Sequence, residues 1–277
     1  MTETKQIDEK THGKIILALS LPLLVFLIIA SYFGIFITET YAELTVSFTA
    51  QGIGQDIVNL FIISPLLLIS SILYYKGNRK CMFIWGGLLV YIFYAYVIYC
   101  FALPFNSLFL VYCAVLGFSF YSLTYFLLTN INEPIKEWYK NNVPIKTVSR
   151  FFIIIAFLFY FVWLKEIIPS LITGETTQSV IENGFLTNPI HVLDIAFFLP
   201  ALLITAILLL KDNKYGLLLA PILLAFTIFM ALAIIGMVFV MVLSGIPTDM
   251  SLMVIFIAIT ILGTLILTIV LKAVENR

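Results

Sequence analysis

The chain has 277 residues, of which 62% are hydrophobic and only 11% are charged, and its formal net charge is zero. A soluble domain carries about 25% charged residues, so the composition excludes a soluble globular protein, and the neutral balance argues against nucleic acid as a partner. Apolar runs long enough to cross a hydrocarbon core of about 30 Å recur along the whole length. The sequence therefore predicts an all-α integral membrane helical bundle, embedded in the lipid bilayer as a single membrane domain over residues 1–277.

Eight membrane spans are predicted, and the apolar stretch after the polar N-terminus is longer than a signal-peptide core, so it is read as a retained first span. Hydropathy places the spans at 14–37, 55–75, 81–102, 108–129, 150–172, 189–210, 215–243 and 251–272. The loop "NEPIKEWYKNNVPIKTVSR" between spans 4 and 5 mixes aromatic residues with lysines, which predicts a short helix lying on the inner leaflet.

The basic residues predict the orientation of these spans. All but one of the 15 Lys and Arg residues lie in the N-terminus, in the 2–3, 4–5 and 6–7 connections, or in the tail. Only Lys165 lies on the opposite face. The excess of basic residues marks the cytoplasmic side, so we expect a multi-pass protein of the cell membrane with both termini in the cytoplasm. Several acidic residues, including Glu39, Glu43 and Glu166, fall on the outer face.

An internal repeat is suggested by two segments 135 residues apart. "DIVNLFIISPLLLISSILYYKGNRK" begins at Asp56 and "HVLDIAFFLPALLITAILLLKDNKY" begins at His191, and they align without a gap. Pro65 then matches Pro200, and both prolines are followed eleven residues later by Lys-x-Asn. The pattern predicts two four-helix repeats in the same orientation, over 14–129 and 150–272, related by a pseudo-two-fold axis along the membrane normal.

The same alignment brings out two polar pairs near the outer mouth of spans 2 and 6. Asp56 and Asn59 form one pair, and His191 and Asp194 form the other. Residues three apart share a helix face. Helix capping explains Asp56 and His191, because both fall in a first helical turn and Asn188 and Pro189 are suited to begin a helix.

Capping does not explain Asp194, which lies roughly 9 Å down the helix from Asn188. An aspartate within a span costs about 3 kcal/mol and usually faces a partner or a cavity. We expect its partner to be His191, or Asn59 if spans 2 and 6 meet at the pseudo-axis. Two interpretations stay open, a structural clasp between repeats and a site for a solute, a proton or an ion. A metal site is disfavoured, because nothing in the sequence makes these side chains converge.

Other polar features of spans 3 and 4 are interpreted as packing. Span 3 carries four tyrosines and span 4 carries three, and buried tyrosines need hydroxyl partners or a wet cavity. We assign them to core packing in preference to a site. Cys100 and Cys113 flank the 3–4 turn, where a disulfide is feasible, and we interpret them as two unrelated thiols. With no C-x-x-C pair, the sequence argues against a thiol redox motif and a closed zinc site.

Several motifs together resemble a widespread family of uncharacterised prokaryotic polytopic membrane proteins. They are "GQDIVNL", "LPFNSLFLVY", "TNPIHVLDIAFFLPALL" and "KYGLLLAPILL", with "NPIHVLD" the most specific. Where relatives have an Arg-rich turn ending in Trp-Gly-Tyr, this chain has "KDNKYG", which keeps the basic character and reduces the aromatic anchor. The resemblance implies the architecture and no reaction, and it marks as polar positions Gln55, Asp56, Asn106, His191 and Asp194.

Three function classes follow. The first is a transporter for a small solute, an ion or a proton, or a membrane-embedded binding protein. Its ligand-binding residues would be Asp56, Asn59, His191, Asp194, Gln55 and Asn106, with a small solute or cation as partner and no cofactor. The second is a non-catalytic scaffold or accessory subunit. The third, an enzyme acting on lipid, is disfavoured because aspartate clusters, multi-histidine sets and Ser-His arrangements are lacking. A homo-oligomer is compatible with each class.

Overall fold

A computed structural model describes residues 3–140 and 143–276, with side chains from Thr11 onward, and this part of the chain is all-helical. Within it, eight helices are long and apolar enough to cross a membrane, so the predicted architecture of eight spans is confirmed. We number these helices α1 Glu3–Phe36, α2 Val46–Tyr75, α3 Arg79–Ala102, α4 Phe109–Asn130, α5 Ile145–Thr173, α6 Pro189–Leu210, α7 Lys214–Leu243 and α8 Met250–Ala273.

A large boundary error in the sequence prediction is at α2, which begins at Val46 rather than at residue 55. The stretch before residue 55 is only weakly apolar, so hydropathy alone does not assign it to a span. Thr45 caps this stretch by accepting a hydrogen bond from the Phe48 N–H at 3.2 Å. A Cβ on Gly54 would lie 2.5 Å from the carbonyl oxygen of Gly236, so the two backbones cross in near contact. Packing on α7 therefore extends the helix beyond its apolar core.

α3 and α7 pack on each other at the centre of the bundle. In α3, 72% of the most apolar stretch is buried, the largest share among the eight spans of the described chain. Two ring contacts cross the interface, with Tyr91 and Phe229 centroids 6.5 Å apart and Tyr94 and Phe226 centroids 5.7 Å apart. The offset of 135 places Tyr91 on Phe226 and Tyr94 on Phe229, so it converts each of these two contacts into the other.

The condition under which Asn59 would partner Asp194, that spans 2 and 6 meet, is not supported by any extensive contact between these two helices in the described chain. The extensive contacts of α2 are with α1, α3 and α7, and those of α6 are with α5, α7 and α3. The central position is taken by α3 and α7 because small residues allow close approach there. A Cβ on Gly87 would lie 2.4 Å from the Cβ of Ala225.

One end of the bundle, the basic end, gathers the connections rich in lysine and arginine. Lys136 pairs with Asp212 at 2.6 Å, and Lys214 donates to the Ile131 carbonyl at 2.9 Å. The loop after α4 forms a short 3-10 turn, Ile135–Trp138, with both of its end residues buried. The predicted short helix is thus limited to one 3-10 turn in the described part of this segment, and residues 141–142 lie outside the described residues. Trp138 packs under Arg79 instead of presenting its ring outward.

The other end, the acidic end, is closed by three connections that contact one another. Asn106 donates to the Thr40 carbonyl at 3.4 Å, which joins the 3–4 and 1–2 connections. The 5–6 connection contains the six-residue helix Gln178–Asn183 and reaches α2 through a hydrogen bond from Gln51 to Asn183 at 3.1 Å. Both predicted polar pairs lie on this side of their spans.

The three cysteines are all free thiols, so no disulfide joins Cys100 and Cys113. The interpretation of these two as unrelated is wrong, because their side chains lie within interaction distance of each other.

Candidate functional site

Both polar pairs lie at the same local distortion of their helices. α2 changes to a π-helix over Asn59–Ile63, and α6 changes to a π-helix over Asp194–Phe198. Each π segment ends two residues before a proline, whose missing N–H prevents the regular hydrogen bond. The register is wider there by one residue, and such π-bulges recur at functional sites. The distortion begins at Asn59 in one helix and at Asp194 in the other.

The match between the two segments continues to their ends. α2 stops at Tyr75 and α6 at Leu210, and the next helix is capped in each case by an asparagine, Asn78 or Asn213. The turn between them needs a left-handed residue. That residue is Gly77 with φ +85° after α2 and Asp212 with φ +51° after α6. In each of these pairs, the residue after α6 or at its end comes 135 positions after its counterpart at α2.

The first site, here called the Asp56 cluster, surrounds a fully buried carboxylate. Asp56 Oδ1 accepts a hydrogen bond from the Tyr99 hydroxyl at 3.0 Å, and Oδ2 accepts one from the Tyr41 hydroxyl. The side chain of Asp56 has no exposed surface. Gly34 of α1 lies directly against it, because a Cβ there would fall 1.8 Å from Oδ2. The absence of a side chain at Gly34 is what admits the carboxylate.

Tyr41 lies in the 1–2 connection, outside the spans, and acts as a neutral donor to this site. Burial, together with the nearby Asp56 carboxylate, raises the pKa of Tyr41 well above its usual value. The hydroxyl therefore keeps its proton at physiological pH and donates a hydrogen bond to Asp56.

Asn59 extends the Asp56 cluster along α2. Its Oδ1 accepts a hydrogen bond from the Tyr91 hydroxyl of α3 at 2.8 Å, while its Nδ2 lies beside the Asp56 carboxylate without the geometry of a hydrogen bond. Three further buried oxygens of the cluster are also without a hydrogen-bond partner, namely Ser31 Oγ, Tyr96 OH and Tyr112 OH. Most buried polar groups in proteins are paired, so four unpaired atoms around one carboxylate require an explanation.

The second site, here called the Asp194 cluster, holds the carboxylate of α6. Asp194 Oδ1 accepts from the Tyr94 hydroxyl of α3 at 2.8 Å, and Oδ2 accepts from the Trp163 indole N–H of α5 at 2.8 Å. The residue is 7% exposed. The expected pairing of Asp194 with His191 or Asn59 is wrong, because side chains of α3 and α5 supply both hydrogen bonds.

His191 faces Glu166 instead. Its Nε2 lies 3.6 Å from Glu166 Oε2 and has no hydrogen-bond partner, and its ring centroid lies 4.7 Å from that of Trp163. Glu166 is partly exposed, and its Oε1 accepts from the Ser179 N–H of the 5–6 connection at 2.9 Å. Asn188 caps the helix as expected, accepting from the His191 N–H at 3.4 Å. His191 thus lies between the surface at the acidic end and the indole that binds Asp194.

The remaining predicted residues, Gln55 and Asn106, lie at the margin of the Asp56 cluster. Gln55 is 8% exposed and lies near the Tyr91 hydroxyl. Asn106 organises the 3–4 turn by accepting from the Leu108 N–H at 2.9 Å. It also lines a small pocket of about 40 Å³ at the acidic end, together with Glu39 and Glu43. A larger surface pocket of about 440 Å³ lies at the basic end, between residues 134–137 and 212–215, at the other end of the bundle from both carboxylates.

No cation balances either buried carboxylate in the part of the chain that the structure describes. The ion pairs there are Lys136–Asp212, Lys140–Glu275 and His191–Glu166, and none includes Asp56 or Asp194. Among the same residues, no group of three or more His, Cys, Asp or Glu side chains converges as a metal site would require.

The donors of both clusters were not predicted from the sequence. Tyr91, Tyr94 and Tyr99 had been assigned to packing, yet their hydroxyls bind Asn59, Asp194 and Asp56. The sequence feature that could have identified them was the set of tyrosines on span 3, together with the two unexplained carboxylates of spans 2 and 6. Trp163 and Ser31 carried no signal of their own.

Comparisons of the chain with models of known protein families, with curated proteins and with solved structures gave no match. The resemblance based on "NPIHVLD" therefore stays a prediction.

Proposed function

We propose that this protein binds or transports a small solute, an ion or a proton across the cell membrane, using the two buried carboxylates as its exchangeable charges. One observation carries the proposal. Asp56 and Asp194 are buried in membrane-spanning helices, and each accepts hydrogen bonds from two neutral donors, with no paired cation among the residues that the structure describes.

The cost of an uncompensated carboxylate charge within the membrane supports this function. A carboxylate within a span costs about 3 kcal/mol and is retained where it pairs, conducts or binds. Hydroxyl and indole donors stabilise the ionised form, but they leave its charge uncompensated. The charge is compensated when a proton or a cation arrives and is restored when it leaves. A group of this kind is a centre for binding and release.

The orientation and the repeat belong to the same proposal. The basic end is taken as cytoplasmic from the distribution of lysine and arginine, which puts both clusters near the outer leaflet and both termini inside. The halves 14–129 and 150–272 are taken as repeats of one orientation. The matching π segments and the exchanged ring contacts between α3 and α7 support this arrangement.

Titratable side chains lie between one of the two carboxylates and the surface at the acidic end. Glu166 is partly exposed at the acidic end, His191 lies 3.6 Å from it, and Trp163 links the imidazole ring to Asp194. Histidine changes charge near neutral pH and is a common proton shuttle. Asp194 is therefore the carboxylate with a titratable neighbour on the side of the outer surface.

The test is proton movement in liposomes that contain the purified full-length protein and a pH-sensitive dye. In sodium-free buffer with an imposed pH gradient, we expect faster proton entry than in empty liposomes. Small cations added outside would accelerate it further if one of them is the co-transported solute. Asp194→Asn should return the rate to that of empty liposomes without lowering the folded yield. Asp249→Asn is the matched control, since Asp249 is an exposed helix cap at the same end. A rate that Asp194→Asn leaves unchanged would contradict the proposal.

A structural scaffold is the second candidate, and one observation favours it. All four carboxylate oxygens already have hydrogen-bond partners, so both clusters can serve as clasps that fix α2 and α6 against their neighbours. Under this alternative, Asp194→Asn lowers thermal stability in detergent and changes no flux.

A further inference from the structure

We propose that the Asp56 cluster binds a small dehydrated alkali-metal cation of the sodium class, whereas the Asp194 cluster exchanges only protons. This inference rests on the proposed function and assigns different ligands to its two carboxylates. It starts from the unpaired atoms of the Asp56 cluster and from the chemical nature of its other members.

Most of the unpaired atoms in the Asp56 cluster are buried hydroxyl oxygens. Ser31, Tyr96 and Tyr112 each have a hydroxyl oxygen without a hydrogen-bond partner, and the exposed fraction of these residues is 0%, 0% and 2%. Ser31 lies beside both the Asp56 carboxylate and the Tyr96 hydroxyl. The cluster therefore presents several free lone pairs next to one negative charge.

The aromatic packing keeps these oxygens together. The Tyr99 ring centroid lies 4.9 Å from that of Tyr96 and 5.3 Å from that of Tyr112. Since the Tyr99 hydroxyl binds Asp56 directly, its two ring neighbours are held in the same region of the bundle. Rigid rings lose little conformational entropy when they form a site.

A cation accounts for this donor set better than a proton does. A proton occupies a single lone pair of the carboxylate and leaves the three hydroxyl oxygens as they are. A hard cation prefers oxygen ligands and uses several at once. One positive charge also balances the one carboxylate, whereas a divalent ion would leave a net positive charge within the membrane.

The close packing around Asp56 would exclude a large ion. The backbone of α1 approaches so closely that a Cβ on Gly34 would lie 1.8 Å from Oδ2 and 2.8 Å from the Tyr41 hydroxyl. Cavity size and the field of the coordinating oxygens both contribute to the choice between sodium and potassium. The tight walls and the charged ligand both select sodium here.

The Asp194 cluster lacks these features. One of its carboxylate oxygens binds an indole N–H, and its nearest further neighbours are the Trp163 and His191 rings. The indole N–H occupies one of the two Asp194 carboxylate oxygens, and its nitrogen supplies no lone pair to a cation. Asp194→Asn is therefore the matched control for a sodium experiment on Asp56.

The experiment is thermal unfolding of the purified full-length protein in detergent, at constant pH and ionic strength, with choline chloride replaced stepwise by sodium or potassium chloride. We expect sodium to raise the melting temperature in a saturable way, and potassium to do so only weakly. The sodium effect should persist in Asp194→Asn and vanish in Asp56→Asn. Ser31→Ala should raise the apparent Kd for sodium by about tenfold.

Two results would overturn the inference. One is an equal melting temperature in sodium, potassium and choline, and the other is a sodium effect that Asp56→Asn and Ser31→Ala both retain. If Asp56→Asn does not fold, Ser31→Ala and Tyr96→Phe decide, because each removes one oxygen and leaves the buried charge paired. Proton flux in sodium-free liposomes is independent of this result. Loss of the sodium effect with flux intact refutes the cation site alone, whereas loss of both refutes the proposed function as well.

Discussion

The Asp56 and Asp194 clusters are built on helices with the same local geometry and differ in almost everything around them. Each helix carries a π segment of five residues before its proline. Around Asp56 the neighbours are hydroxyl oxygens, several of them unpaired, whereas Asp194 is held by one hydroxyl and one indole. Helix geometry therefore fixes where a polar residue lies, and the neighbouring helices determine what it can bind.

The difference originates in the two central helices. Under the offset of 135, Tyr91 and Tyr94 of α3 correspond to Phe226 and Phe229 of α7. The rings are packed in the same way, but only those of α3 have hydroxyl groups. Asn59 and Asp194 therefore both take their bond from α3, by way of Tyr91 and Tyr94. An exact two-fold arrangement would have used one helix for each site.

The largest expected effect on stability comes from a steric change that disturbs the Asp56 cluster and leaves the Asp194 cluster intact. Gly34→Ala places a Cβ on the Asp56 carboxylate, and we expect it to lower the free energy of unfolding by about 3 kcal/mol through overpacking and loss of buried hydrogen bonds. It should leave proton exchange at Asp194 intact. The control is Gly117→Ala in α4, where a Cβ meets no atom within 4 Å and a helix is stabilised by up to about 1 kcal/mol. Denaturant titration in mixed micelles measures both, and equal values would contradict the described packing.

The next largest effect is the loss of stability when a tyrosine hydroxyl is removed, and it should be greater where the hydroxyl binds a carboxylate than where it binds an amide. Tyr94→Phe removes a donor from Asp194 and should cost about 2 kcal/mol, because hydrogen bonds to charged groups are the stronger ones. Tyr91→Phe removes the donor to Asn59 and should cost about 1 kcal/mol. The same titration ranks the two variants. If Tyr91→Phe proves the more costly, Asp194 is not ionised in the folded protein.

The smallest effect concerns the matching turns at the basic end. Gly77→Ala puts a side chain in the left-handed region and should cost about 1 kcal/mol, although open space surrounds the site. Asp212→Gly removes the same strain at the other turn and also removes the exposed pair with Lys136, so we expect a change near zero. Thermal unfolding of the two variants side by side checks this. A cost for Asp212→Gly above that for Gly77→Ala would show that the two turns are not equivalent.

Hydropathy and the positions of charged residues were enough to predict the eight spans, because crossing a membrane imposes a length and a composition on each helix. The start of α2 was missed, because Val46 to Gly54 becomes helical through its cap and its crossing with Gly236 rather than through its own hydropathy. Pro65 and Pro200 were noted as a match, but the π segments that precede them depend on the hydrogen-bond register, which composition does not encode.

The polar positions were identified correctly as unusual, whereas their partners were not. Asp56 and Asp194 stood out in apolar segments, and the insertion cost of a carboxylate made them candidates. Their donors come from α3, α5 and the 1–2 connection, and no spacing along the chain brings these elements together. The pairing of His191 with Asp194 was attractive only because the two residues share a helix face. In the folded protein Trp163 binds the carboxylate beside that face.

The central claim, that Asp56 and Asp194 exchange charge within the bundle, is tested most directly by infrared difference spectroscopy of the purified protein in lipid as the pH is changed. The account predicts two carboxyl C=O signals, one lost in Asp56→Asn and the other in Asp194→Asn. Sodium in place of choline should suppress the first and leave the second unchanged. The opposite result, a spectrum that neither substitution alters at any pH at which the protein stays folded, would mean that both carboxylates hold a fixed charge state and serve only as structural clasps.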